Sequence, residues 1–405
     1  MLFRFIGAGL KEMFRGGPGY RMWLSFLAAL FLFGVWSYRK QLAEGLVVTG
    51  LSDQVSWGLY IGNFAFLVGI AASAVLLLIP AYVFHREDMR RVVWLGKGMA
   101  VAAVLTALLF VIVDLGRPER MWHAIPLLGR FNFPASLLAW DVIVLVGYLV
   151  LNVITPFYVL YRYFIGKEPR FGLYFSFVVV SMFWAISIHA VTAFLFSANP
   201  ARPLWDSALL APHFIVTAFA SGPALMILVL RTIGRLTDFR VPEGVITTLG
   251  WILAVTMQIN LLLIGSELFT DFYHETGHSD SARYRYLGLY DFGALQILSW
   301  AALAMNVAAT AILTINPLRR RLFFLHIACV LGFFGIWIEK GMGLVVPGFI
   351  PTPLGEVFEY APTSVEIGVS LGILAFGVLV FTLLTKAAIG FETGKISANP
   401  PPVRE

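Results

Sequence analysis

"VVWLGKGMAVAAVLTALLFVIVDLGRPERMWH", residues 92–123, decides how the chain is read. Its first part, Val92 to Ile112, is about 20 mostly apolar residues, long enough as a helix to cross the hydrocarbon core of a bilayer. It ends on Asp114, Arg117, Glu119 and Arg120, and then presents Trp122 and His123. Any polar cap stops a helix in water. Here a carboxylate stands at the edge of the apolar zone, and a Gly-Arg-Pro turns the chain sharply. The charged end is therefore either an anchor or a site.

The rest of the sequence repeats the apolar half of that pattern. Of 405 residues, 59% are hydrophobic and 13% charged, against about 25% charged in soluble domains. Ten apolar spans are expected near 18–37, 56–84, 92–113, 134–163, 171–196, 208–233, 244–270, 291–315, 321–344 and 364–389. None shows the alternating pattern of an outer-membrane barrel. The expected fold class is all-α: a polytopic membrane protein of about ten transmembrane helices, with a transmembrane domain over 18–389. Residues 1–17 set Leu2, Phe3, Ile6, Leu10, Met13 and Phe14 against Arg4, Lys11 and Arg15, which suits a helix lying in the interface. Residues 390–405 form a tail.

Lys and Arg set the orientation. The termini and even-numbered loops hold 19 of them and the odd-numbered loops 9, which predicts an inner-membrane protein with both termini cytoplasmic. The +6 net charge reflects this bias and gives no reason to expect nucleic acid. The chain has one cysteine, Cys329, whereas an iron–sulfur cluster takes about four thiolates. No cluster of its own is expected, and no disulfide.

The ionisable residues of the spans gather on the outer side: Asp114, Asp141, His189, His213, Glu267, Asp271, Asp291 and Glu339. Intramembrane charges are costly and are functional candidates by default. Snorkelling at helix ends accounts for Asp271 and Asp291, and poorly for His189. Two consecutive helices carry polar stripes. Thr256, Asn260, Glu267 and Asp271 share a face of the seventh; Gln296, Ser299, Asn306, Thr310 and Thr314 share one of the eighth. Interhelical hydrogen bonding is the bland explanation. Together the stripes make a partial proton path, with His189, His213, Asn260, Glu267, Ser299 and Asn306 as candidate relay residues.

In the second helix Gly58, Gly62, Ala65, Gly69 and Ala72 form a small-residue face that admits a close neighbour. Tyr60 and Asn63 point elsewhere together, near the outer surface, and Trp57 sits at the rim, where an interfacial aromatic belt explains it as well. "FAFLVGIAASAVLLLI" from Phe64 resembles "FIVTAFASGPALMILVL" from Phe214. Each segment returns outward to an acid, Asp114 or Glu267. This weak parallel repeat suggests two four-helix bundles, helices 2–5 at 56–196 and 6–9 at 208–344, with helices 1 and 10 flanking. The longer outer loops mix charges with aromatics, Pro and Gly, and suit covering a partner or shaping a lipid-side cavity.

The "DLGRP" after a long span and the "WG…G…A" helix before it resemble the NrfD/PsrC family of polysulfide reductase-type membrane subunits. Within that family "SDQVSWGLYIGNFAFLVGIAASAVLLL" and "FSANPARPLWDSALLAPHF" look most like the DsrP subunit of DsrMKJOP complexes, associated with dissimilatory sulfur metabolism. The resemblance implies a subunit of a quinone-linked oxidoreductase complex that binds a quinone, with menaquinone the expected one, and holds no haem or iron–sulfur cluster. Its implied partners are a periplasmic, ferredoxin-like iron–sulfur protein of the DsrO type and the other membrane and cytochrome subunits of such a complex. Electrons would pass between those clusters and a quinone in the outer half of the membrane. The family site falls here on Asn63, Asp114 and Arg117. The family's histidine in the second helix has no counterpart: Leu67 and Val68 occupy the turn after Asn63, and His123 or His189 would substitute. Trp57, Tyr60, Trp122 and His123 complete the expected quinone surroundings.

Quinone reduction takes two electrons and two protons. A partly desolvated carboxylate at the membrane edge can exchange those protons, with Arg117 opposing that tendency and orienting the loop. Two other readings stay open. A cytochrome b-type subunit needs paired histidines from facing helices, and His189 and His213 qualify, while His85, His123, His274, His278 and His326 form no second pair. A stand-alone secondary transporter would favour inverted repeats and midplane charges, neither of which is evident.

Overall fold

The computed structural model describes residues 1–126, 128–273 and 277–396. Among them ten helices are long and apolar enough to span a membrane: α1 (Pro18–Glu44), α2 (Leu59–Val83), α3 (Val93–Asp114), α4 (Leu137–Phe164), α5 (Gly172–Ser197), α6 (Leu210–Leu236), α7 (Glu243–Tyr273), α8 (Gln296–Thr314), α9 (Leu322–Phe349) and α10 (Ser364–Glu392). The protein is an all-α, multi-pass membrane protein. Residues 397–405 of the expected tail, and His274, lie outside the described residues.

Local chemistry sets the helix ends. Pro18 opens α1 behind Gly17, where a missing N–H costs nothing. Ser136 caps α4 by accepting from the Ala139 N–H. Thr363 and Glu366 form a reciprocal capping box at the start of α10. Two ends differ from the apolar spans, and both differences matter. α1 does not stop at residue 37. The good helix formers of Lys40–Glu44 carry it to Gly45, which takes φ 82°, and this places Gln41 inside the protein. α9 is not continuous either. Its regular part ends at Lys340, Gly341 breaks it, and short turns follow over Met342–Val345 and Pro347–Phe349.

α2, α3, α4 and α5 pack as one four-helix ring, and α6, α7, α8 and α9 as another. α6 rests on α2 and α5 and joins the two bundles. At the α2–α6 crossing a Cβ on Gly222 would fall on Ser73. α1 and α10 flank the first bundle as a pair. They cross so closely that a Cβ on Gly34 would lie 2.5 Å from the Gly372 Cα. α10 in turn covers α3. α2 is buried almost along its whole length, with Gly62 against Gly341 and Gly69 against Ala218 and Lys340, so the expected small-residue face meets the second bundle.

The helix Leu2–Met13 lies across the inner end. Phe5 meets Phe157, Phe164 and Phe391, which ties it to α4 and α10. The opposite end, which the charge bias predicts to be outside, is termed the outer end below.

Candidate functional site at the outer end

Two buried polar nodes occupy the outer end. The larger lies in the second bundle, around His213 near the start of α6. The His213 Nδ1 is 3.0 Å from Glu267 Oε1 on α7, and its Nε2 is 2.9 Å from Glu339 Oε1 on α9. The same Nε2 is 3.1 Å from Asn260 Oδ1. The far oxygen of Glu339 accepts from Asn306 Nδ2 on α8 at 2.5 Å and from Asn260 Nδ2 at 3.3 Å. Four helices thus converge on one imidazole held between two carboxylates. Both ring nitrogens face carboxylate oxygens, so either the ring carries two N–H groups or one carboxyl carries the proton. The proton can pass between these states with little movement of heavy atoms. His213, Asn260, Glu267 and Asn306, four residues of the two sequence stripes and their surroundings, are brought together here. Glu339 joins them from the turn before the Gly341 break.

A cavity of about 450 Å³ opens beside this node and reaches the loops at the outer end. Its polar walls include His213, Glu267, Glu339, Arg285, Tyr286 and Lys340, and its size admits several waters. Lys340 is buried, with its ammonium 4.0 Å from the Phe214 ring centroid and 3.4 Å from the Phe214 carbonyl. Because Lys340 also lies against Gly69 of α2, it stands on the seam between the bundles. His189 of α5 is on the other side of that seam, within Coulombic range of Lys340. Its Nδ1 meets the Ala185 carbonyl at 2.9 Å, and its Nε2 is buried without a partner. One turn further along α5, Thr192 donates to Asp141 of α4 at 2.7 Å. Ser299 is buried on α8, and its hydroxyl makes no hydrogen bond to the node.

The second node belongs to α1, α2, α3 and α10. The Tyr60 hydroxyl donates to Gln41 Oε1 at 2.8 Å, and Gln41 Nε2 donates to the Val113 carbonyl at 2.6 Å. Glu366 accepts from the Tyr360 hydroxyl at 2.5 Å, from the Gly50 N–H at 2.7 Å and from the Thr363 N–H at 2.9 Å. Tyr360 in turn accepts from the Leu59 N–H at 2.9 Å. Burial, and then the Glu366 charge, push the Tyr360 hydroxyl's pKa far up, so it stays a donor. Asp114 ends α3 among these groups, within Coulombic range of Glu366 and Tyr60. Its Oδ1 is buried and has no hydrogen-bond partner.

The remaining sequence candidates are dispersed. Tyr60 and Asn63 do not point the same way: Tyr60 turns to α1, whereas Asn63 Oδ1 accepts from Trp337 Nε1 on α9 at 2.9 Å. Three residues turn the helix by about 300°, so the two side chains leave it about 60° apart, and each is taken by a different neighbour. Trp57 is not at an open rim but in an aromatic box with Phe196, Trp205 and Phe349. Arg117 leaves the Asp114 node, is 73% exposed and pairs with Glu119 at 3.6 Å. Trp122 stacks on His123 at 3.9 Å and is 49% exposed. Sequence reading did not single out Gln41, Arg285, Lys340, Tyr360 or Glu366. The capping pattern "TSVE" at 363–366 was the available signal for Glu366.

A paired helix-bundle membrane subunit with protonatable nodes buried at one end is the class that this geometry defines. The chain belongs to the NrfD polysulphide reductase family, whose model matches residues 47–350. It is similar to a Halobacterium salinarum chain named for the membrane subunit of a dimethyl sulfoxide reductase, at 28% identity over 89% of each chain. It is also similar to a subunit of the selenate reductase of Mesobacillus selenatarsenatis, at 25% identity over 93% of this chain and 95% of the relative. A third relative is the Hdr-like menaquinol oxidoreductase integral membrane subunit of Archaeoglobus fulgidus, at 25% identity over 89% of this chain and 91% of the relative.

Proposed function

We propose that this chain is the quinone-interacting membrane subunit of a multi-subunit redox complex, and that Asp114 is its proton-exchanging contact with the quinone ring. The observation that carries the reading is the Asp114 Oδ1, buried at the outer end of α3 with no partner. Buried polar atoms are almost always satisfied, and an exception calls for an explanation. Asp114 stands at the end of the "DLGRP" span, beside Tyr60, and a quinone oxygen is a chemically suitable partner for its protonated form. Menaquinol in the name of the Archaeoglobus relative supports menaquinone as the ligand. A bound quinone supplies two-electron, two-proton redox chemistry. The chain's own residues do the rest. Asp114 holds or accepts a proton at Oδ1, Gln41 fixes the Tyr60 hydroxyl beside it, and the apolar flanks of α2 and α3 exclude bulk water. Asn63, bonded to Trp337, and Trp57, in its aromatic box, stand away from this contact.

The His213 node is the second proton-exchanging element. Its cavity connects it with the outer loops, and His189 extends the polar groups across the seam. Arg117, Trp122 and His123 are exposed on the loop after α3 and form the docking edge for an iron–sulfur subunit on the outer face. The complex in this reading is DsrMKJOP-like, works in dissimilatory sulfur metabolism, and leaves both termini of this chain cytoplasmic. A second reading has one specific observation in its favour: the cavity beside His213, with Lys340 and Arg285 as donors, has the volume to take a quinone ring itself.

The experiment compares Asp114→Asn with His213→Gln in the assembled complex, following reduction of the partner's clusters by a quinol analogue. Loss of that reaction in Asp114→Asn, with assembly intact and quinol affinity lowered, supports the Asp114 site. Weakened quinol binding in His213→Gln alone moves the ring to the second-bundle cavity. Full activity in both variants overturns the quinone role of these nodes.

A further inference from the structure

The inner end carries a site that neither node uses. Two adjoining hollows share Trp94, Pro156 and Leu160 in their walls. One is a polar cavity of about 490 Å³ among the inner ends of α2, α3, α4 and α10. The other is an apolar groove of about 240 Å³ lying between the interfacial helix Leu2–Met13, α4 and α10. Three hydrogen-bond donors at the junction lack a good acceptor. Lys97 is buried, at 2% exposure, and its Nζ has one acceptor, Asn152 Oδ1, at 3.5 Å. The Trp94 Nε1–H and the Thr385 hydroxyl are buried without partners. Lys97 lines the polar cavity, Thr385 the groove, and Trp94 both.

We infer that this double hollow is a binding site for a glycerophospholipid, with its phosphate on Lys97 and its acyl chains in the groove under the interfacial helix. A buried ammonium without a carboxylate calls for an anionic or strongly accepting partner. Lys97 lies one helical turn inside the start of α3, near the inner end of a span, where a lipid phosphate can reach it. The groove supplies an apolar bed at the same depth. Ester carbonyls are suitable acceptors for the Trp94 and Thr385 donors. An isoprenoid quinone would bring two carbonyl oxygens on its ring and none on its tail, too few and too close together for donors spread over both hollows. The cavity also holds Arg90, Arg91, Glu87, Glu168 and Glu392. Arg90 is committed to Glu87 at 2.7 Å, and the rim's three carboxylates outnumber its two arginines. The phosphate is therefore recognised by the buried Lys97 rather than by the rim, and the head group is free to be zwitterionic.

The test is retention of lipid by the intact complex. Wild type, Lys97→Met and Lys97→Arg are purified in mild detergent, washed extensively and assayed by native mass spectrometry, with bound phospholipid and quinone extracted and counted separately. Wild type and Lys97→Arg are expected to keep one phospholipid per chain. Lys97→Met should lose about tenfold in retention, the scale of one charge-assisted hydrogen bond, with quinone content unchanged. Should Lys97→Met not assemble, Thr385→Val, which is nearly isosteric, is expected to lower retention by a smaller factor. Undiminished phospholipid in the variant that assembles overturns the proposal. So does selective loss of quinone rather than phospholipid.

Discussion

The two outer nodes are built on opposite principles. In the second bundle His213 has a partner on each nitrogen and Glu339 is met by three side chains; the buried atom left without a partner there is Asn306 Oδ1, an amide oxygen that carries no exchangeable proton. In the first bundle Asp114 is half-buried next to a satisfied Tyr60–Gln41 pair and a saturated Glu366, and its buried Oδ1 has no partner. A network whose imidazole and carboxylates are bound to one another stabilises its own protein and resists change. A node with one open valence contributes little to stability and is free to bind something else. Substitutions should therefore separate the two: function is lost first in one, folding first in the other.

The largest effect is expected at Asp114. Asp114→Asn keeps the shape and removes the exchangeable proton, so quinone-linked electron transfer should fall about 10²–10⁴-fold, the usual range for a lost general acid or base. The unfolding free energy should stay within about 1 kcal/mol of wild type, because no existing hydrogen bond of Oδ1 is lost. Turnover of the assembled complex and thermal unfolding in the same detergent check the two halves. A destabilised but active variant would make Asp114 a structural cap.

Glu339→Leu should behave the other way. It leaves His213 and the Asn306 amide buried with one partner fewer each, a change that costs about 3–5 kcal/mol where a buried pair is broken. Unfolding of the purified chain measures it, and a loss below about 1 kcal/mol would show that the node is a loose, hydrated one. Gly222→Val probes the seam between the bundles. Its side chain would enter the space of Ser73, and overpacking of this kind costs about 1–3 kcal/mol. If the first bundle then loses quinone chemistry with the second intact, the crossing also positions the Asp114 node.

The sequence carried the spans and much of the second node, because a charge in an apolar run is conspicuous and a polar stripe at steps of four and seven announces a shared helix face. His213, Asn260, Glu267 and Asn306 were legible on those grounds. What apolarity could not show is where a helix continues without it. Gln41 lies beyond the apolar part of α1 and is inside only because Lys40–Glu44 remain helical up to Gly45. Lys340 reads as the first charge of a loop, and it is buried because Gly341 breaks α9 against Gly62. Glu366 reads as a helix cap, which it is, while its carboxylate also closes the Asp114 node from a helix more than 250 residues away in sequence. Such partnerships depend on which helices meet, and periodicity within one helix does not encode that.

The smallest effect on the chain itself is expected three residues from the largest. Arg117 shares the "DLGRP" motif with Asp114, but it is exposed and faces Glu119 across 3.6 Å of solvent-accessible space. An ion pair of that kind contributes about 0–1 kcal/mol. Arg117→Ala should therefore leave unfolding within about 0.5 kcal/mol of wild type, and should not alter quinol affinity. If the loop is the docking edge proposed above, the substitution acts on association instead. The iron–sulfur partner should bind more slowly, with the difference shrinking as salt is raised, since exposed charges steer encounter over roughly a Debye length. Association kinetics at two ionic strengths, with Asp114→Asn as the control that binds normally, tests it. Equal kinetics for Arg117→Ala and wild type would confine the motif's function to its half-buried aspartate, and the contrast between its two charged residues would then be one of burial alone.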